Sequence, residues 1–304
     1  MLYHGQHPIL AFHQSFANLI RMTIVLILLC LMVSHEALAN SGDILQLPEN
    51  PRLLALGGAF VAVADDPQAG IYNPAGIRQM KQVGMDLDFT RSTNRQPDHL
   101  GCSLVNPGAD HGSAFALGIW TQGLIEKRQL VYYVPYTGTG LDLTRLTHLG
   151  LVMRFPYRAS TATGISSRWA TVADASLLQT LGNLRLGAAV ERIVGGASDL
   201  VPRTLRVGLA YKTDSGVTAT GQWQGEETRR RYDFHREASS LGVEFPLVRY
   251  LLVRAGYKSA ETHRYSVGAA VGNIKEGFRL EAAGELPTTG KGVTVWSVGA
   301  GYRI

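Results

Sequence analysis

The side chains that carry most enzymatic chemistry are sparse here, and their spacing is poor for it. Of the nine histidines, those from Asn40 onward are His99, His111, His148, His235 and His263. No two stand at an H-x-H or H-x-x-x-H spacing, so no element offers one metal a pair of imidazoles. Gly164-Ile165-Ser166-Ser167-Arg168 begins like a nucleophile elbow but lacks its second glycine. The stretches Gly208 to Gly216 and Gly268 to Gly272 have glycines but no Lys-Ser/Thr at P-loop spacing. Asp65-Asp66 is an adjacent carboxylate pair, and neighbours on one strand or helix point apart. A capping or anchoring role suits it better than shared acid–base work. We expect no enzyme, no metal site and no cofactor.

The remaining charges fall into a pattern instead. After about Gly84 polar and apolar residues alternate with period two to the end of the chain. Trp296, Val298, Ala300, Tyr302 and Ile304 alternate with Ser297, Gly299, Gly301 and Arg303. The same rhythm recurs around Arg154, Arg185, Glu191, Arg206, Arg254, Lys258, Arg264, Arg279 and Glu281, with Asp86, Asp88 and Glu244 in phase. Such alternation marks strands with one apolar face. Roughly fourteen segments carry it: 84–91, 98–105, 112–121, 129–136, 147–155, 169–180, 183–192, 203–212, 215–224, 238–245, 249–258, 263–271, 275–284 and 292–303. The sixth has the weakest alternation, and 156–168 has room for another strand. Connections alternate between tight (181–182, 213–214, 246–248, 272–274) and long (193–202, 225–237, 285–291). Segment 137–146 reads as a long connection where a short one is expected.

Two architectures bury such strands. A soluble sandwich turns the apolar face inward, whereas a membrane barrel turns it to lipid and lines its lumen with the polar face. Glycine is plentiful on the polar face beside long charged residues, and glycine weakens a strand facing water. Small residues opposite long ones suit a crowded lumen. The N-terminus agrees with a barrel. Arg21, the apolar run Met22 to Val33 and Ala37-Leu38-Ala39 form the n-region, h-region and cleavage site of a signal peptide. The run is too short to span a bilayer as a helix. The organisation expected is a signal peptide at 1–39, an N-terminal segment at 40–83 and an all-β transmembrane antiparallel barrel of about fourteen strands at 84–304.

Composition restricts partners. The net charge of +5 is unchanged by loss of residues 1–39, because Arg21 and Glu36 cancel. No basic tract with interleaved aromatics stands out, so nucleic acid is not an expected partner. Cys102 alone remains after Ala39 and is read as a small apolar residue. The inward row Arg154, Arg185, Arg206, Arg254, Arg264, Arg279, Glu191 and Glu281 is either a basic track for an anionic group or a self-paired network filling a small lumen. Buried charges are normally paired, which favours the network. Glu226-Glu227-Thr228-Arg229-Arg230-Arg231 is a charged loop.

The stretch Asn50 to Ile77, NPRLLALGGAFVAVADDPQAGIYNPAGI, resembles the N-terminal signature of FadL-like outer-membrane proteins, including the PorV/PorQ-type group. Those sequences carry a small-residue run ending in GGAF, an Asp-Asp pair and Asn-Pro-Ala-Gly. The resemblance implies a fourteen-stranded barrel in the outer membrane of a Gram-negative bacterium. It implies a helical hatch packed inside, with Gly57, Gly58, Asp65, Asp66, Asn73, Pro74, Ala75 and Gly76 as its motif. A plug must be slim, which suits the Gly and Ala content. The other reading is a small-residue helix below the barrel. Asn73-Pro74 is a turn signal, and Gly76 is expected at positive φ. The chain is shorter than many relatives and ends in Ile304, where barrels often end in an aromatic; Tyr302 shares that face. Partners so implied are outer-membrane lipid, the barrel assembly machinery, and either a hydrophobic small-molecule ligand or a secretion-system partner. Two functions follow: transport of hydrophobic or amphipathic small molecules, or a PorV-type subunit of a protein secretion system with no solute of its own. The sequence shows no row of large inward apolar residues, which weighs against fatty-acid-sized ligands.

Overall fold

The computed structural model describes residues 47–92, 98–108, 113–123, 130–161, 166–195, 201–227, 234–260, 263–273, 277–288 and 294–303. Residues 1–39, read above as a signal peptide, the arginine run Arg229 to Arg231 and Ile304 lie outside them.

Two short helices, α1 (Pro51–Ala55) and α2 (Ala69–Tyr72), and a 3-10 helix (Pro74–Gln79) precede the strands. These are β1 (Gly84–Ser92), β2 (His99–Asn106), β3 (Ser113–Gln122), β4 (Leu130–Asp142), β5 (Thr147–Arg154), β6 (Tyr157–Ser160), β7 (Arg168–Trp169) and β8 (Val172–Leu181). The chain continues through β9 (Leu184–Val194), β10 (Thr204–Lys212), β11 (Thr218–Glu227), β12 (Phe234–Val248), β13 (Leu251–Ser259), β14 (Arg264–Gly272), β15 (Gly277–Pro287) and β16 (Val295–Arg303).

All pairings are antiparallel and the sheet closes, with β1 pairing both β2 and β16 and β3 pairing β4. Short β6 and β7 are not extra positions in the ring. β6 continues β5 along the same edge of β4, and β7 leads into β8, so the ring is a fourteen-stranded barrel. The break falls where Pro135 and Pro156 stand diagonally across the two strands; neither has an N–H to donate to a ladder. The room for a strand in 156–168 is thus filled by part of one long strand. The expectation for 137–146 is corrected. β4 runs to Asp142, and only 143–146 turn back to β5. Gly138 and Gly140 interrupt the apolar rhythm there and hide the strand.

Tight turns gather at one end, where β1 begins and β16 finishes, since Gly84 pairs with Arg303. Longer connections lie at the other end. The outer wall is apolar: Leu87, Leu104, Leu117, Ile119, Leu209, Leu241, Val267 and Leu280 are all exposed, Leu209 at 52% and Leu280 at 54%. A continuous apolar surface of this kind is costly in water and belongs against lipid. Strands of nine to eleven residues such as β1, β3 and β9 match the length of a tilted span. Aromatics border the band at both ends: Phe89 with Trp296 and Tyr257 with Tyr265 toward the loops, and Phe278 and Tyr302 toward the turns. Cys102 faces outward between Leu87 and Ile119, in keeping with an apolar role.

Candidate functional site in the filled lumen

Residues 47–83 lie within the ring. Leu54, Leu56, Phe60, Ala62, Ala69, Asn73 and Ile77 are buried, and their neighbours are wall side chains. The alternative of a helix beneath the barrel is not what the structure has. Asn50 caps α1 through Oδ1, which accepts the Leu53 N–H at 2.6 Å, and Pro51 starts it with φ preset. From there the segment circles the inner wall.

Its path explains the inward glycines. Six of them form cross-strand pairs: Gly242 opposite Gly256, Gly187 opposite Gly208, and Gly140 opposite Gly150. Each pair is a dent in the wall, and each dent holds backbone of the inner segment. A Cβ at Gly256 would fall on the Gly57 nitrogen, one at Gly187 on the Val61 carbonyl, and one at Gly150 on the Ala75 nitrogen. Of the motif residues, Gly57 and Gly58 hold φ of +65° and +94°, and a Cβ at Gly57 would lie 2.8 Å from the Tyr257 backbone. Gly76 departs from expectation. It sits inside the 3-10 helix without positive φ, and what demands glycine is space, since a Cβ there would overlap the Ala64 carbonyl.

Asn73 and Ala75 pin the turn. The Asn73 side-chain amide donates to the Val61 carbonyl at 2.6 Å, and Ala75 N–H donates to the Ser176 hydroxyl at 3.2 Å. Pro74 follows Asn73, which is extended at φ −156°.

Asp65 and Asp66 converge, contrary to the expectation that they point apart. They occupy an irregular turn rather than a strand or helix, so both reach Arg52, at 2.6 and 2.9 Å. Asp66 also accepts the Gln68 N–H at 3.0 Å and so closes the turn. Burial by itself would raise the Asp65 carboxyl. The charges of Arg52 and then Arg185 outweigh burial and hold it well below the usual carboxylate range.

Arg52 ties the segment to the wall. Its Nε lies 2.9 Å from Glu244; Glu244 then pairs with Arg254 at 2.8 Å. Arg254 reaches Glu281 at 3.0 Å, Glu281 reaches Arg279 at 2.7 Å, and Arg279 reaches Asp86 at 2.9 Å. A second group joins Arg154 to Asp174 at 2.7 Å and to Glu191 at 3.2 Å, with Arg206 also on Glu191. Arg185 lies 3.3 Å from Asp65, and Arg264 2.7 Å from Glu285. Arg154, Arg185, Arg206, Arg254, Arg264 and Arg279 of the predicted inward row thus each lie on the lumen side with a carboxylate, a network rather than an open basic track, whereas Arg303, in phase with them, donates to the Asp65 backbone carbonyl at 3.3 Å. Asp88 instead accepts from the Gln68 amide at 2.5 Å.

Sequence reasoning missed several participants. Arg52 lies outside the strands, and Asp174 sits in the segment with the weakest alternation. The largest omission is apolar. Trp120, Tyr132, Val134 and Tyr136 point inward from β3 and β4 and pack with Phe60 and Tyr72 of the inner segment. The statement that no large apolar residues face inward is thus corrected. Outward Ile119, Val131 and Pro135 are apolar too, so these strands show no alternation to read.

A cavity of about 170 Å³ opens at the loop end above the inner segment. Leu47, Leu53, Val61 and Tyr72 form its apolar floor. Arg206, Gln222, Gln224 and Lys258 line its polar wall, with Glu49 and Glu191 beside them. Gln222 also accepts the Phe60 and Val61 N–H groups at 3.1 and 2.9 Å, linking wall and floor. Lys258 to Glu49, at 3.7 Å, is a looser and more exposed pair than those below.

No sequence-family description and no curated protein matches the chain. Solved structures do. The Ralstonia pickettii toluene transporter TbuX is 13% identical, with 83% of this chain and 96% of that chain covered at a TM-score of 0.57. The monoaromatic hydrocarbon channel CymD is 12% identical, covering 84% and 97% at 0.62. A Pseudomonas aeruginosa FadL homologue is 11% identical, covering 84% and 98% at 0.60. At such identities the likeness is one of fold. The protein has a FadL-like barrel fold, in agreement with the resemblance read from Asn50 to Ile77.

Proposed function

We propose that this chain is an outer-membrane barrel, exported through the signal at 1–39, that passes small hydrophobic or amphipathic molecules with the inner segment as its hatch. It performs no catalysis in this reading. The observation that carries the proposal is the loop-end cavity, whose apolar floor is the inner segment itself. A molecule bound there touches the part that must move to let it through. At about 170 Å³ the cavity is smaller than the roughly 300–1,000 Å³ that holds a drug-sized ligand, which favours a compact solute. The solved relatives described as toluene transporter and monoaromatic hydrocarbon channel support that size class.

The test is uptake of labelled toluene into proteoliposomes, with Val61→Trp filling the cavity floor. We expect uptake by the native protein and a large loss in the variant. Native uptake no faster than in empty liposomes would remove the transport reading. The second reading, a PorV-type secretion subunit, is favoured by how firmly Arg52 and the glycine pairs hold the segment. Co-purification of export components without any bound small molecule would put it first.

A further inference from the structure

The polar wall of the loop-end cavity is one-sided in its hydrogen bonding. Gln222 and Gln224 stand two apart on β11, so they share a face of the strand, and both line the cavity. Each has its side-chain oxygen engaged elsewhere. Gln222 Oε1 accepts the Phe60 and Val61 N–H groups at 3.1 and 2.9 Å, and Gln224 Oε1 accepts Arg206 Nε at 3.1 Å. These partners fix both amides in orientation, because a backbone N–H and a guanidinium only donate. What each glutamine has left is an NH2 group, and neither NH2 makes a hydrogen bond to another described residue.

Arg206 adds a third donor. It stands directly opposite Gln224 on β10 and lines the same cavity. Its Nη2 pairs with Glu191, and its guanidinium lies over the Tyr72 ring of the floor, 5.9 Å from the centroid. Its Nη1 is buried and has no hydrogen-bond partner among the described residues. A buried donor left without an acceptor is destabilising, so each such group calls for a partner. The charges of the lining are already matched: Arg206 faces Glu191, and Lys258 faces Glu49 at 3.7 Å. An anionic ligand would also meet the carboxylates of Glu49, Glu191 and Glu226. A bare hydrocarbon would cover the three donors without answering them.

We propose that the cavity is built for a compact, neutral molecule that carries a carbonyl oxygen, its apolar body on the inner-segment floor and its oxygen toward Gln222, Gln224 and Arg206. This rests on the transport reading and narrows its solute class to ketones, aldehydes and esters. A carbonyl oxygen has two lone pairs and no proton, so it accepts from two of these donors and brings no further donor to be satisfied.

The experiment compares acetophenone, ethylbenzene and benzoate by equilibrium dialysis against the folded full barrel in a neutral detergent. The three share a ring and differ in its substituent. Binding is counted as the saturable part that Val61→Trp abolishes, which leaves out partition into the detergent. Gln222→Glu and Gln224→Glu keep the oxygen that Phe60, Val61 and Arg206 Nε use, and replace the NH2 by a second acceptor. We expect the affinity for acetophenone relative to ethylbenzene to fall roughly fivefold or more in each variant, the worth of about one hydrogen bond. Benzoate should bind the native barrel less tightly than acetophenone does. Heat-modifiable migration on gels reports whether each variant is folded, and Gln224→Glu serves alone should Gln222→Glu, which touches the inner segment, not fold. An unchanged ratio in the folded variants, or benzoate bound more tightly than acetophenone, overturns the proposal and leaves hydrocarbon transport standing. Absence of cavity-dependent binding for all three probes overturns it as well, and native toluene uptake then decides separately whether the transport reading survives.

Discussion

The lumen wall has two unlike sectors. From Arg154 on β5 round through β8–β16 to Asp86 on β1, the inward positions hold the paired charges and most of the glycine dents among small, polar and a few apolar residues, and much of the contact with the inner segment runs through ion pairs and bare backbone. On β2 to β4 the inward positions include Val105, Ala114, Ala116, Trp120, Tyr132, Val134 and Tyr136, which meet the segment as an ordinary apolar core. One sector positions by charge and the other holds by packing. A charged sector has directional, exchangeable contacts, whereas an apolar one is indifferent to salt and pH. The segment is gripped on one side by partners that can be swapped and on the other by fixed shape.

The strongest way to break this contrast is Arg154→Met. It strands buried Asp174, and orphaning one partner of a buried pair costs about 3–5 kcal/mol. Adding Asp174→Asn should recover much of that loss; urea unfolding in lipid vesicles measures both. In the apolar sector Trp120→Ala should cost about 3 kcal/mol through a cavity, with no recovery from a second polar change. If the charged sector shows no recovery either, the two sectors do not differ in kind.

The outer face supplies a control. Leu209→Arg, placed against lipid, should cost about 2–4 kcal/mol near the midplane. A much smaller cost in the same vesicle assay would mean that Leu209 does not face lipid. Smaller again, Gly256→Ala should destabilise by about 1–3 kcal/mol by overpacking, because its methyl group collides with Gly57. Gly284→Ala meets nothing closer than 3.9 Å and should be nearly neutral. Equal effects would show that the glycine dents do not seat the inner segment.

The smallest effect concerns acid. Asp65 titrates below its unfolded value, so its stabilisation is complete above about pH 3.9 and is lost only as pH falls through the lower folded value. Protease resistance of the inner segment should therefore be the same at about pH 7 and about pH 5. Release within that window would show that Asp65 is not a principal tether.

Much of the architecture is legible in the residues alone. Period-two alternation in β9, β10, β13 and β15 names the lipid face residue by residue, because a strand in a one-layer barrel has just two environments. That constraint alone puts Arg185, Arg206, Arg254 and Arg279 inside. The Asn50 to Ile77 signature supplies the likeness of the inner segment. The sequence does not show β4 past Tyr136, because Gly138 and Gly140 break the apolar rhythm there, nor the aromatic row on β3 and β4, because around it both faces are apolar and alternation vanishes. Nor does it show which arginine meets which acid. Arg52 and Glu244 are far apart in the chain, and only barrel closure and the winding of the segment bring them together. Gly76 makes the same point: sequence suggests conformational freedom at a turn, and tertiary packing shows that the absence of a side chain next to Ala64 is what matters. Local chemistry determined which way each residue faces, because orientation is a property of a single strand. Pairing was decided by closure, because contact between distant residues is a property of the ring as a whole.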